Sequence, residues 1–164
     1  DLTSGSVFIN GSTLPLIDLS LGIDNDSSGL DNIKTRASII GINKKNLQSY
    51  IQDVINFAEL DDFIHLPYRT YSAGMQMRVA FGSSTAVTPD ILLLDEWLSA
   101  GDVSFREKAN KRLKRVIDNS NVLIFSSHNL EMIRSICNRV IWLKKGEVYR
   151  DGPTSKIIDE YERK

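Results

Sequence analysis

The sequence predicts an α/β domain with parallel strands, joined to a small helical block. Two runs carry the first half of that expectation. Ile91–Leu94 and Val122–Phe125 are short and wholly apolar, the pattern of parallel strands covered on both faces. Stretches of helical length alternate with them after Pro89, as parallel pairing requires. The third observation is the segment 29–66, where apolar residues recur at helical spacing and Pro67 closes the block.

Taken in order, Ser6–Gly11 reads as a short strand and turn. Residues 12–28 are mixed and end in the polar cluster Asp24–Gly29. A helix is predicted from Leu30 to about Ile40, closed by Gly41. A second, from about Lys45 to Leu60, places Leu47, Ile51, Val54, Ile55 and Ala58 on one face. Met75 to about Val87 is a helix stopped before Pro89. Then follow strand 91–94, helix 105–119, strand 122–125, helix 130–137 and strand 139–143. Lys145-Gly146 turns the chain into Val148–Arg150, and Pro153 opens a closing helix through Tyr161.

The bulk numbers narrow the class. The 164 residues suffice for one domain with a sizeable core. With 41% apolar and 25% charged residues and a net charge of −1, neither a nucleic-acid surface nor an acidic disordered tail is expected. The single cysteine, Cys137, cannot pair within the chain and suits a reducing compartment. No apolar run approaches the roughly 20 residues that span a bilayer, and no signal sequence opens the chain. It begins at Asp1, inside a turn, which reads as a segment cut from a longer sequence.

Three local signals carry chemistry. Ile91–Glu96 is an apolar strand ending in two carboxylates, at the edge where α/β proteins bind ligands. There Asp95 could hold Mg²⁺ through water and Glu96 could activate a water, although many strands end in a polar turn. In Tyr71–Gln76, Ser72 and Gly74 stand just before a helix, where free N–H groups could face an anion; taken alone, the string reads better as a plain serine cap with a flexible glycine. His128 follows a strand and Ser126-Ser127, where it could meet a phosphate or simply lie at the surface. With only His65 and Cys137 besides, zinc has little support.

Order and spacing decide among these readings. A helix-opening Ser-x-Gly is followed by a strand ending Asp-Glu, then by Asp102 six residues past Glu96, then by a strand ending in histidine. This succession resembles the ATP-binding cassette ATPases, with the signature at Tyr71–Gln76, Walker B at Ile91–Glu96, the D-loop at Ser99–Asp102 and the switch histidine at His128. The stretch Thr3–Gly11 is similar to the segment after the family's first helix, and Leu143–Asp151 to its terminal hairpin. The resemblance implies a P-loop NTPase-type parallel sheet flanked by helices. Residues 1–164 would form one partial ATPase domain, with a helical subdomain at 29–66 and the four motifs within 67–164. It implies that Asp95 binds Mg²⁺, Glu96 is the catalytic base and His128 contacts the γ-phosphate. Ser72, Gly74 and Asp102 would serve ATP held by the opposite subunit of a head-to-tail homodimer. Two membrane-spanning permease subunits would complete the assembly on the cytoplasmic face of a bacterial inner membrane.

Departures from the family pattern refine the expectation. Tyr-Ser-Ala-Gly-Met stands for the common Leu-Ser-Gly-Gly-Gln, Trp97-Leu98 for Pro-Thr, and Gly101 for a leucine. With Ser12–Gly22 and Arg139–Leu143 these look most like the branch that exports O-antigen, capsular polysaccharide or teichoic acid. The family's Q-loop glutamine has no obvious counterpart; by position Asp18, in Leu16–Leu19, is the best candidate, and an unpaired polar residue at a turn explains it as well. The phosphate-cradling G-x-x-x-x-G-K-[ST] loop is lacking, and no Gly-Lys dipeptide occurs. So are the first strands and the aromatic that stacks on adenine. The chain alone is therefore expected to be inactive, to expose apolar surface and to be poorly soluble. The competing expectations are a non-transport cassette ATPase of translation or repair, and a catalytically dead binding or regulatory fragment. No carbohydrate-binding domain follows the closing helix within the chain.

Overall fold

The computed structural model describes residues 3–96 and 103–163. Strand β1 (Thr13–Leu16) leads into α1 (Gly29–Ile39) and α2 (Lys44–Ala58). Two 3₁₀ turns, Asp61–His65 and Tyr68–Thr70, precede α3 (Ala73–Thr85). Next come β2 (Ile91–Asp95), α4 (Val103–Asp118), β3 (Val122–Ser126) and α5 (Leu130–Ile136). Strands β4 (Arg139–Lys144) and β5 (Glu147–Pro153) and helix α6 (Thr154–Glu162) finish the order.

The helices start and stop for local reasons. Ser28 accepts from the Asp31 N–H, Asn43 from the Asn46 N–H and Ser72 from the Met75 N–H, each covering an orphan donor. Helix α1 ends through Gly41 at φ 76°, with the Ile42 N–H on Ala37 O at 2.8 Å, a left-handed glycine closure. Helix α2 stops two residues earlier than predicted, because Glu59 turns left-handed at φ 52°. Helix α3 runs from Ala73 to Thr85 rather than from Met75 to Val87, so Gly74 lies inside its first turn, not before it.

Strands β1, β2 and β3 form a parallel sheet in that order. Leu14 pairs with Leu92, Leu94 with Phe125, and Asp95 with Ser126. One face is buried: Leu14, Leu16, Leu92 and Leu94 pack with Phe57, Phe81, Phe105 and Leu113 from three helices. A second cluster joins Ile33, Tyr50, Val54, Tyr68, Tyr71 and Val79 within the helical block. Phe57 on α2 belongs to the sheet cluster and stands 5.7 Å, ring to ring, from both Phe81 and Phe105.

Three expectations need correction. Ser6–Gly11 is no strand: residues 3–10 are exposed, and the ladder is filled instead by Thr13–Leu16, which buries Leu14 and Leu16. Strand β3 is not covered on both faces, since among the described residues Val122 and Ile124 remain 46% and 59% exposed, and in β2 Ile91 and Leu93 are only partly buried. Strand β4 lies outside the parallel sheet, in an antiparallel hairpin with β5 against which α6 packs. Lys145 and Gly146 both have positive φ at the hairpin tip, matching the twist of paired strands. Between β3, which has no further strand beside it among the described residues, and the β4–β5 hairpin lies an apolar groove of about 1550 Å³, and Ile141, Leu143 and Val148 are exposed.

Candidate functional site

The site is built by strand register. Because Asp95 pairs with Ser126, the ends of β2 and β3 fall level. The residues that follow, Glu96 on one strand and Ser127-His128 on the other, are therefore neighbours at the carboxyl edge of the sheet, as predicted for ligand contact in such folds. The Glu96 N–H donates to Ser126 O at 2.8 Å. Its backbone is left-handed, at φ 56°, a conformation uncommon for residues other than glycine.

Glu96 is held by its side chain as well. Ser127 Oγ donates to Oε2 at 3.1 Å, and the His128 N–H donates to Oε1 at 3.2 Å. The His128 imidazole is fully exposed, its Nε2 4.0 Å from Glu96 Oε1. Asp95 accepts a short hydrogen bond from Ser126 Oγ. These residues close one end of the groove along β3.

Asp18 follows β1 at the same edge. It is not an unpaired residue at a turn. Its carboxylate accepts from the Ser20 hydroxyl at 2.6 Å and the Ser20 N–H at 2.8 Å, which together hold it below the usual carboxylate range. The loop carrying it is tied to the helices by Arg36, which donates to Leu21 O at 2.7 Å and to Ser84 Oγ at 3.0 Å.

Ser72 and Gly74 stand elsewhere, at the opening of α3. Ser72 Oγ accepts from the Met75 N–H at 3.2 Å, and a side chain at Gly74 would meet nothing closer than Ser72 Oγ at 3.9 Å. Among the described residues no hydrogen bond or ion pair joins them to Asp95, Glu96 or His128. Asp102 and the Ser99–Asp102 loop lie outside the described residues. The structure thus separates the motifs into two groups: strand-end carboxylates with a histidine, and a helix start offering N–H groups to an anion.

Sequence reasoning passed over two kinds of residue. In the sequence Ser126 and Ser127 do no more than precede His128, yet in the fold each engages a carboxylate. Arg112, on the charged face expected of α4, is buried and reaches Thr85, Gly82 and Asp53. The signal for the serines was available: two hydroxyls in the positions that parallel pairing sets opposite Asp-Glu.

A divalent cation would find Asp95 exposed here, with the exposed carboxylate of Glu96 next to it. Mg²⁺ keeps several waters and takes one or two carboxylates plus phosphate oxygens, a demand this edge meets. The described residues hold no cluster of three or more ligating side chains, so water and phosphate would complete the shell.

No family model matches the chain. Among curated relatives, the teichoic acids export ATP-binding protein TagH of Lactococcus lactis is 38% identical over 161 residues, covering 98% of this chain and 34% of its own length. The O-antigen export system ATP-binding protein RfbE of Yersinia enterocolitica is 38% identical over 150 residues, covering 92% of this chain and 63% of its own length. The chain thus spans between about a third and just under two thirds of these two relatives. Among solved structures, the ATP-binding subunit of an ABC transporter superposes with a TM-score of 0.69 at 14% identity, over 92% of this chain and 62% of that one. A dimeric ATP-binding cassette in a post-hydrolysis state, bound to ADP and Pi, superposes with a TM-score of 0.60 at 22% identity, over 87% of this chain and 63% of that one.

Proposed function

We propose, from the premise that the chain belongs to the ATP-binding cassette ATPase family, that the whole protein hydrolyses ATP to drive export of a polysaccharide or lipid-linked glycan. The observation that carries the reading is the register at the sheet edge. It sets Glu96 beside His128, with Asp95 alongside, where a terminal phosphate and its attacking water could be handled together. The relatives that export teichoic acids and O-antigen supply the transport half of the proposal.

Each residue has a distinct task. Asp95 would hold Mg²⁺ through water, the ion supplying charge neutralisation at the phosphates when bound. Glu96 orients the attacking water and takes its proton, and its exposure at the edge leaves it open to that water. His128 donates to the γ-phosphate, its ring fully exposed beside Glu96. Asp18 would meet the ion or the water from the β1 side. Ser72 and Gly74, at the start of α3, serve the nucleotide of the opposite subunit, and Asp102 does so through the D-loop. The working unit is then a head-to-tail homodimer beneath two permease subunits, on the cytoplasmic face of the membrane. No helix among the described residues is long and apolar enough to cross it. Residues 29–66 form the subdomain that faces the permease. The chain itself has no phosphate-cradling loop, so by itself it does not turn over ATP.

The test is Glu96→Gln in the whole protein, read by phosphate release and by nucleotide binding. Loss of turnover by roughly 10²–10⁴-fold with binding retained is expected for removal of a general base. Wild-type turnover in Glu96→Gln would overturn the assignment, and Mg²⁺-dependent turnover by the isolated 164-residue chain would overturn its inactivity.

A further inference from the structure

The two consecutive carboxylates are met by two consecutive hydroxyls. Ser126 Oγ donates to Asp95 Oδ1, and Ser127 Oγ donates to Glu96 Oε2 at 3.1 Å. The pairing follows from parallel register, which sets Ser126 opposite Asp95 and leaves Ser127 abreast of Glu96. The direction of the second hydroxyl is fixed. Its oxygen accepts the Asn129 N–H at 3.1 Å, so its single proton is free to point at the carboxylate. Asn129 is itself pinned, because its side chain caps α5 through the Met132 N–H at 3.0 Å. Glu96 needs such a hold: its left-handed backbone is strained, and its side chain is about half exposed.

We propose that Ser126 and Ser127 are separate positioning residues, Ser126 aiming the metal carboxylate of Asp95 and Ser127 aiming the base, Glu96. The proposal rests on the roles given above to those two carboxylates. It deepens them by dividing the work between adjacent serines. Each serine acts through the carboxylate to which it donates. Ser127 acts on the chemical step and Ser126 on the cation requirement, so their loss has different kinetic signatures.

The experiment compares Ser127→Thr with Ser127→Val, and Ser126→Thr with Ser126→Val, in the whole protein. Each pair has nearly the same shape and differs in the hydroxyl. Turnover is measured against ATP and against Mg²⁺, and the affinity of each nucleotide-loaded variant for Mn²⁺ is read separately by electron paramagnetic resonance, with Glu96→Gln alongside. Ser127→Val is expected to lower kcat roughly tenfold at unchanged KM for ATP, the scale of one hydrogen bond to a charged group. Ser127→Thr restores most of it. Ser126→Val is expected to raise the Mg²⁺ concentration for half-activation several-fold, with kcat at saturating Mg²⁺ within about twofold of wild type. Equal kcat in Ser127→Val and Ser127→Thr would overturn the Ser127 role, whether both fall or neither does. An unchanged Mg²⁺ midpoint in Ser126→Val would overturn the Ser126 role. Should Glu96→Gln turn over normally, the underlying site reading fails. Should Glu96→Gln be dead while the serine pairs do not differ, the site reading stands and the positioning roles of both serines fail.

Discussion

Replacing Arg112 by methionine keeps most of the side chain's volume and removes the guanidinium. That group sits at the far end of α3 from Ser72. Nε donates to Thr85 Oγ1 at 2.8 Å and to Thr85 O at 3.3 Å, and Nη2 donates to Gly82 O at 3.3 Å. These carbonyls belong to the last turn of α3, where intrahelical donors run out. Tyr50 Oη covers Ser83 O between them, at 2.7 Å. Arg112 also pairs with Asp53 of α2 and lies 4.5 Å over the Phe57 ring. Asp53 keeps 43% of its side chain in water, so the ion pair is worth at most about 1 kcal/mol. The bonds to α3 are charge-assisted and sit where Arg112 is only 8% exposed, so stranding those oxygens costs about 2 kcal/mol. Arg112→Met should therefore lose about 3 kcal/mol, and Asp53→Asn less than about 1 kcal/mol. Urea unfolding followed by far-ultraviolet circular dichroism measures both. Equal losses in the two variants would mean that the ion pair to α2, not the bonds to the end of α3, carries the contribution of Arg112. A loss below about 1 kcal/mol in Arg112→Met would refute both accounts.

Two further outcomes follow from packing and titration. At Gly82 a new Cβ would stand 2.9 Å from Phe57 Cδ1 and 3.4 Å from Val54 Cγ1. Phe57 is hemmed in by Phe81, Phe105 and Arg112, so overpacking of about 1–3 kcal/mol outweighs the roughly 1 kcal/mol gained in helix propensity. Gly82→Ala should lower Tm, and an unchanged or higher Tm would contradict the argument. Asp90 gathers the starts of three strands, accepting from the Ser12 N–H and hydroxyl at 2.8 Å each and from Asn121 Nδ2 at 3.1 Å. The Ser12 N–H above all, then its hydroxyl, holds the Asp90 carboxyl below its usual 3.8. Its unfolded form takes up a proton first, so this stabilisation is present above pH 3.8 and is lost as pH falls through the lowered value. Asp90→Asn should flatten the acid limb of unfolding below about pH 4 and leave the slope above it unchanged; a limb as steep as wild type would exclude Asp90 as a contributor.

What the sequence could and could not disclose has physical causes. Ile91–Leu94 and Val122–Phe125 are legible because four adjacent apolar residues between turns leave few alternatives. Such runs cannot tell one covered face from two, since the missing partner leaves no mark on the strand itself. Strand β1 is not legible at Thr13–Leu16, because Pro15 argues against a strand there while Val7-Phe8-Ile9 argues for one earlier. In the fold, Pro15 sits in the outer strand of the described sheet, opposite Leu93, where its lack of an N–H is tolerated. Asp95, Glu96 and His128 were legible as one edge because parallel strands end together. The placement of Ser72 was legible as a cap, but Gly74 was set outside the helix because glycine reads as a break. The serines behind the carboxylates follow from register, which no local pattern encodes.

The open edge of β3 has a practical meaning for anyone handling this chain. Its outer side has no hydrogen-bonded neighbour strand among the described residues, and Val122 and Ile124 stand exposed beside it. Backbone donors and acceptors in a row, next to an apolar groove, will pair with whatever extended segment arrives, including another copy. Losses on purification should therefore scale with concentration rather than with temperature. Dilution, or a single lysine in place of Ile124, should do more to keep the protein in solution than any gain in core stability.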